Sequence, residues 1–272
     1  MSQRDLSGEP MLRLTHISKT FYPGTANERR ALCDIDLDLA EGDFVTIIGS
    51  NGAGKSTLLN VIAGSIPIDQ GVVLIDGRDV TRLPEHRRAS WIARVFQDPA
   101  AGTAPHLSIE QNLAVAYNRG RPLTLARGLT RSRRAEFRDN LATLEQDLEG
   151  RMRHRVGLLS GGQRQALSLL MASFTHPKLL LLDEHTAALD PERAELVLRL
   201  TAQIVGEQKL TALMVTHNMD HALRLGNRLV MMHEGRVIHT LGADEKACAQ
   251  VGDLLDWFSR EKGGLTDRTL FA

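Results

Sequence analysis

Three short runs in this chain carry residue types that could act together on a phosphate anhydride. Gly49-Ser50-Asn51-Gly52-Ala53-Gly54-Lys55-Ser56-Thr57 fits the pattern G-x-x-x-x-G-K-[ST]. Its glycines let the backbone wrap closely around an anion with successive N–H groups turned inward, and a helix after the loop adds its positive end. In such a loop Lys55 is a point charge for the β- and γ-phosphates and Ser56 a hydroxyl for Mg²⁺. The pattern arises by chance in a chain this long on the order of one time in a hundred, and the apolar run before it argues further against a merely structural turn. Leu179-Leu180-Leu181-Leu182-Asp183-Glu184 delivers two acids at the end of an apolar strand, where open α/β sheets bind ligands. Asp183 would help hold Mg²⁺, largely through water, and Glu184 would polarise an attacking water. Such an acid pair often only caps the next helix; the loop upstream favours chemistry. The third run is Leu159-Ser160-Gly161-Gly162-Gln163. Ser160 begins a helix whose free N–H groups and hydroxyl can hold a phosphate. Leu167, Leu170, Met171 and Phe174 follow at i, i+3, i+4 and i+7, so this helix should pack by one stripe and keep its N-terminus outward.

The elements around these runs alternate. Met11 to Phe21 and Leu32 to Leu39 read as strands, the second with Ile35, Leu37 and Leu39 on one face and Asp34, Asp36 and Asp38 on the other, the period of a half-exposed antiparallel strand. Phe44 to Ile48 is apolar without alternation, as in a strand covered on both faces. It feeds the phosphate loop and a helix from Lys55 to Ala63, closed by Gly64. Val72 to Ile75 reads as a short strand and turn. From Gln97 to Gly157 the chain is helix-forming and rich in arginine, with seven between Arg119 and Arg138, and is expected to be an inserted helical subdomain. Alternation returns at Lys178 to Asp183, Pro191 to Val205, Leu210 to Val215 and His217 to Leu225; Arg228 to Thr240 reads as a hairpin turning at Glu234-Gly235.

Composition narrows the function classes. At 272 residues and 42% hydrophobic the chain can bury a large core, and its 33 basic residues balance its 33 acidic ones. A nucleic-acid binder would usually carry a basic surplus, so none is expected as partner. Cys33 and Cys248 lack metal-ligand spacing and read as reduced residues of a cytosolic protein. No run approaches the roughly 20 apolar residues of a membrane span, and the polar stretch from Met1 to Pro10 lacks a signal peptide's apolar region. A soluble cytoplasmic protein is expected, with any membrane part in another subunit.

Together these motifs resemble the ATP-binding cassette (ABC) ATPases over nearly the whole chain. The resemblance implies an α/β fold: a P-loop NTPase (RecA-like) core with an N-terminal antiparallel β subdomain and an inserted helical subdomain. The cassette would span 11–250, with helical insertion at about 97–157 and signature at 159–163, and 251–272 would be a C-terminal tail. It implies ATP and Mg²⁺ as ligands and a head-to-tail nucleotide-sandwich dimer, in which Ser160, Gly161, Gly162 and Gln163 of one copy meet the nucleotide held by the other. Gln97, in Val95-Phe96-Gln97-Asp98, resembles the glutamine that senses Mg²⁺ and the attacking water. Ala188-Leu189-Asp190-Pro191 is similar to the loop that crosses the dimer interface, and Asp190 also reads as an N-cap with Pro191 at the first helical position. His217 resembles the switch histidine that touches the γ-phosphate, and Phe21, with Tyr22 second, the aromatic ring on which adenine stacks. One position departs: where the family commonly has proline after the glutamate, this chain has His185, which either titrates near neutral pH beside Glu184 or is a solvent-facing substitution without catalytic effect, the latter being the expectation.

The family default is the nucleotide-binding subunit of a transporter, cytoplasmic and held peripherally on the inner membrane face by integral membrane permease subunits. The cleft at Gln97 would receive the permease, with Asp98 to Asn112 as contact, while Arg119 to Arg138 would face either anionic headgroups or solvent. Gly102 to His106, Leu170-Met171 and Asp183 to His185 are similar to a bacterial importer group with a lipoprotein-like substrate-binding protein and a branched-chain-amino-acid-type permease, some members of which take up aromatic amino acids such as tryptophan. An exporter cassette, or a soluble ATPase of the iron–sulfur assembly type, is the alternative.

Overall fold

A computed structural model describes residues 9–119 and 128–261. The chain runs β1 (Leu12–Phe21), β2 (Arg29–Leu39), β3 (Phe44–Gly49), α1 (Lys55–Ala63), β4 (Gln70–Ile75), β5 (Arg78–Asp79), α2 (Glu85–Arg88), β6 (Ile92–Val95), α3 (Ile109–Tyr117), α4 (Arg131–Ala142), α5 (Gly161–Ser173), β7 (Leu179–Asp183), α6 (Pro191–Glu207), β8 (Thr211–Val215), α7 (Met219–Arg224), β9 (Arg228–His233), β10 (Arg236–Leu241), α8 (Ala243–Cys248) and α9 (Val251–Glu261).

Two sheets form. β2-β1-β4-β5 is antiparallel, and β10-β9-β3-β8-β7-β6 is parallel except for its outer hairpin β9–β10. The residue types explain the difference. β3, β7 and β8 are buried at every position, as strands covered on both faces must be. β2 alternates as expected, with Ile35, Leu37 and Leu39 buried and the three aspartates exposed. One apolar cluster fills the space between the two sheets and α1, with Leu14, Ile35, Ile47, Leu58 and Val215. A second covers the other face of the parallel sheet and holds α3, α4, α5 and α6, including Leu113, Phe137, Leu167, Leu180 and Leu198. A third joins Ile48, Leu229 and Met231 to Leu254 and Phe258 of α9.

One expectation changes here. α5 does not pack by one stripe: Gln165 through Ser173 are all buried, because α3, α4, α6 and β6 enclose it. The segment from Val251 starts as the helix α9, and its Leu254 and Phe258 are core residues. Of the arginine-rich stretch, Arg121 and Arg127 lie outside the described residues. Of the rest, Arg119 is pulled inward to the Ala172 carbonyl and the Thr175 hydroxyl, Arg134 pairs with Glu110 at 2.8 Å and Arg133 lies over the Tyr117 ring. Cys33 and Cys248 are free thiols. Among the described residues no helix is long and apolar enough to cross a membrane.

Candidate functional site

The parallel register brings three strand ends to one edge. Val215 of β8 lies level with Ile47 of β3 on one side and Asp183 of β7 on the other. The loop after Gly49, the acids 183–184 and the Thr216–His217 segment therefore leave the sheet side by side.

In the phosphate loop Gly52 and Gly54 take φ values of 82° and 98°, a region open to glycine at little cost. A side chain on Gly54 would also run into the Ala31 carbonyl, and one on Gly49 into that of Met232. Lys55 is buried, and its ammonium donates to the carbonyls of Gly49 (2.7 Å) and Ser50 (3.1 Å). Burial pushes its pKa below the ordinary lysine value, against the carboxylates of Glu184 and Asp183. Arg29, at the start of β2, donates to the Gly52 carbonyl at 3.1 Å.

Asp183 is shared between two donors. The Ser56 hydroxyl donates to its Oδ1 at 3.3 Å, and Arg94 Nη2 to its Oδ2 at 2.7 Å. Hydroxyl and carboxylate are hard oxygen donors of the kind Mg²⁺ accepts, so this pair fits the ion. Arg94 also donates to Asn60 Oδ1 of α1 at 2.6 Å and places its guanidinium 4.8 Å from the centre of the Phe96 ring. Both partners of the ion pair are nearly buried, at 12% and 11% side-chain exposure; removing one partner of such a pair typically costs about 3–5 kcal/mol, because the other is left an uncompensated charge. The motifs did not disclose Arg94, although a charge inside the apolar run Ile92-Ala93-Arg94-Val95 is a visible signal.

Glu184 has a left-handed backbone, φ 43°, and its N–H donates to the Val215 carbonyl at 3.0 Å. That turn brings its carboxylate to 3.6 Å from His217 Nδ1, an ion-pair distance but longer than a hydrogen bond. Gln97 and Ala188 line a cavity of about 450 Å³ together with Asp183, so Gln97 and Asp183 face the same space.

His185 corrects the sequence reading. It is 2% exposed, and Thr201 of α6 meets its Nε2 at 3.0 Å. The Thr201 hydroxyl gives its proton to the Val197 carbonyl at 2.8 Å, so its oxygen accepts and the imidazole proton is assigned to Nε2. Nδ1 is buried without a partner. Burial, aided by His221, pushes the pKa down to about 4, so the ring is neutral near pH 7 and does not titrate beside Glu184.

Ser160 caps α5 through a capping box: its hydroxyl accepts from the Gln163 N–H, and the Gln163 side chain accepts from the Ser160 N–H. The free N–H groups of this terminus are therefore those of Gly161 and Gly162. A Cβ on Gly162 would meet the Arg193 side chain at 3.0 Å, which seats the signature turn against the start of α6. There Asp190 accepts from the Arg193 N–H with Pro191 next in the helix. Among the described residues no hydrogen bond joins 160–163 to the loop 49–57. Gln165, which the motifs also left out, donates to the Phe96 carbonyl at 3.1 Å and so ties α5 to the turn before Gln97.

At the end of β1, Phe21 is half-buried with the Lys19 ammonium 5.7 Å from its ring centre, and Tyr22 is 68% exposed. Away from the strand ends, a groove of about 620 Å³ runs between α3, α5 and β6, lined by Arg94, Gly102, Val115, Arg119 and Met171 among others. Of the expected contact segment Asp98 to Asn112, only Gly102 lines it. Ile109, Glu110 and Asn112 turn into the fold, where Asn112 is held by the Ala104 and Ser108 carbonyls.

A family model described as ABC transporter matches residues 32–187. The chain belongs to the ABC transporter family. It is 44% identical to the tyrosine transport ATP-binding protein of Clostridioides difficile (strain R20291) over 248 residues, 91% of this chain and 98% of that protein. It is 37% identical to the thiamine import ATP-binding protein ThiQ of Salmonella choleraesuis (strain SC-B67), covering 79% of this chain and 86% of the relative. Among solved structures it superposes with a TM-score of 0.73 on the dimeric post-hydrolysis state of the ATP-binding cassette MJ0796 bound to ADP and Pi, at 28% identity and with 86% and 99% of the two chains covered. The cassette is thus a nucleotide-binding, ATP-hydrolysing subunit that powers transport.

Proposed function

We propose that this ABC cassette drives import of an aromatic amino acid through separate membrane permease subunits fed by a substrate-binding protein, from the cytoplasmic face of the cell membrane. The 44% identity to a tyrosine transport ATP-binding protein over nearly the full length of both chains carries this reading.

In the working site Lys55 leaves the Gly49 and Ser50 carbonyls for the β- and γ-phosphates, and the N–H groups of the loop 49–57 hold the remaining oxygens. Ser56 and Asp183, with Gln97 across the shared cavity, would hold Mg²⁺, which when bound would neutralise developing phosphate charge. Glu184 takes a hydrogen bond from the attacking water, and His217 beside it steadies the γ-phosphate. Phe21 or Tyr22 stacks on adenine. Two copies close head to tail, so that Gly161, Gly162 and the Ser160 hydroxyl of one face the γ-phosphate held by the other, with Gln163 supporting the cap and Asp190 at the crossing loop. The apolar groove between α3 and α5 receives the permease.

Tagged cassette captured from detergent-solubilised native membranes should bring a polytopic permease and a binding protein with it. Cells whose only copy carries Glu184→Gln should take up labelled tyrosine, phenylalanine or tryptophan at least tenfold more slowly, as loss of a general base typically costs about 10²–10⁴-fold. Unchanged uptake of all three would remove the substrate class; recovery with soluble partners alone would remove the transporter role.

A further inference from the structure

We propose that Arg94 is a built-in counter-ion of the metal site, which neutralises Asp183 in the metal-free cassette and raises the concentration of metal needed to fill the site. The inference rests on the reading above that Ser56 and Asp183 hold Mg²⁺. Arg94 is the third residue of a strand whose other members are apolar, and its guanidinium is held from three sides: Asp183 Oδ2 at 2.7 Å, Asn60 Oδ1 at 2.6 Å and the Phe96 ring at 4.8 Å. It cannot drift from the carboxylate without giving up the other two contacts. Its grip leaves Asp183 Oδ1 as the oxygen turned toward the Ser56 hydroxyl.

Two consequences follow from elementary electrostatics. A carboxylate already paired at one oxygen offers less negative charge to a cation at the other, and a guanidinium a few ångströms away repels a divalent ion through a medium that screens poorly. Arginine does not lose its proton inside proteins, so this opposition is permanent. The site is then too weak to take the metal alone and fills only when nucleotide phosphates add their charge. Without nucleotide, the same guanidinium spares the cassette a buried unpaired carboxylate.

Mn²⁺ binding to the full chain, followed by electron paramagnetic resonance with and without a non-hydrolysable ATP analogue, tests this. Wild type should bind Mn²⁺ only with the analogue. Arg94→Met should bind it about tenfold more tightly with the analogue and should gain measurable binding without it, while Arg94→Lys, which keeps the charge but not the fork, should stay closer to wild type than to the neutral variant and should not bind without the analogue. Arg94→Gln keeps a donor for Asp183 without the charge and carries the same expectation as Arg94→Met, should the latter fail to fold. Equal or weaker Mn²⁺ binding by the neutral variants would overturn the proposal and leave the metal reading standing. No Mn²⁺ binding by wild type even with the analogue would overturn the metal reading itself.

Discussion

At the residue scale the neighbour of Glu184 sets a measurable pH dependence. In an unfolded chain His185 would titrate near 6.5, whereas in the fold its pKa is about 4. Between those values the unfolded chain binds the extra proton, so the stability linked to neutral His185 is complete above about pH 6.5 and is lost as pH falls toward 4. The loss reaches about 2 kcal/mol at pH 5. His185→Gln keeps a donor for Thr201 and does not titrate. Urea unfolding at pH 7.5 and 5 should show wild type losing about 2 kcal/mol more than the variant; equal losses would mean that the imidazole is hydrated. The position also shows where a sequence stops speaking. Lys55, Ser56, Asp183, Glu184 and His217 stand in motifs whose order fits their meeting at one sheet edge. The direction His185 faces depends on a left-handed turn at Glu184 and on Thr201, sixteen residues away. Arg94 was visible only as a charge in an apolar strand, and its partner Asp183 is 89 residues distant.

At the element scale, legibility followed how local each cause is. β3, β7 and β8 were plain because burial on both faces demands unbroken apolar runs, and the caps at Ser160 and Asp190 because side chain and backbone meet within three residues. β6 is four residues long and interrupted by Arg94, too short for a period. α5 read as a one-sided helix because Gln165, Ser168 and Ser173 are polar, yet all three are buried by elements remote in sequence. α9 shows Val251, Leu254 and Phe258 at helical spacing, but nothing local says that Leu254 and Phe258 join one apolar cluster with Ile48, next to last in β3. Through α7, which packs on both α9 and β3, this cluster makes α9 a buttress behind the strand that feeds the phosphate loop. Leu254→Ala should therefore cost about 2–5 kcal/mol, read as a calorimetric melting temperature lower by several degrees. An unchanged transition would mean that the helix does not dock.

At the scale of the whole molecule, the separation of the signature from the phosphate loop is what the proposed head-to-tail pair answers. Ser160, Gly161 and Gly162, which we propose hold a phosphate, are seated against the start of α6 and are not bonded to their own loop. A second copy related by a two-fold axis, signature facing phosphate loop, would bring each to the other's nucleotide, and such an isologous contact closes as a pair with two equivalent sites. If hydrolysis is what reopens the pair, Glu184→Gln with Mg²⁺ and ATP should elute at twice the 30.0 kDa chain mass, while hydrolysis falls at least about a hundredfold. Adding Ser160→Arg to that variant puts a long side chain where the partner's γ-phosphate would sit. The double variant should bind ATP with the affinity of a single chain and elute as a monomer. Light scattering on the eluting peak separates the cases: a double variant that still dimerises with ATP would place the pairing surface elsewhere, and a monomeric Glu184→Gln would mean that nucleotide does not close this cassette on a second copy.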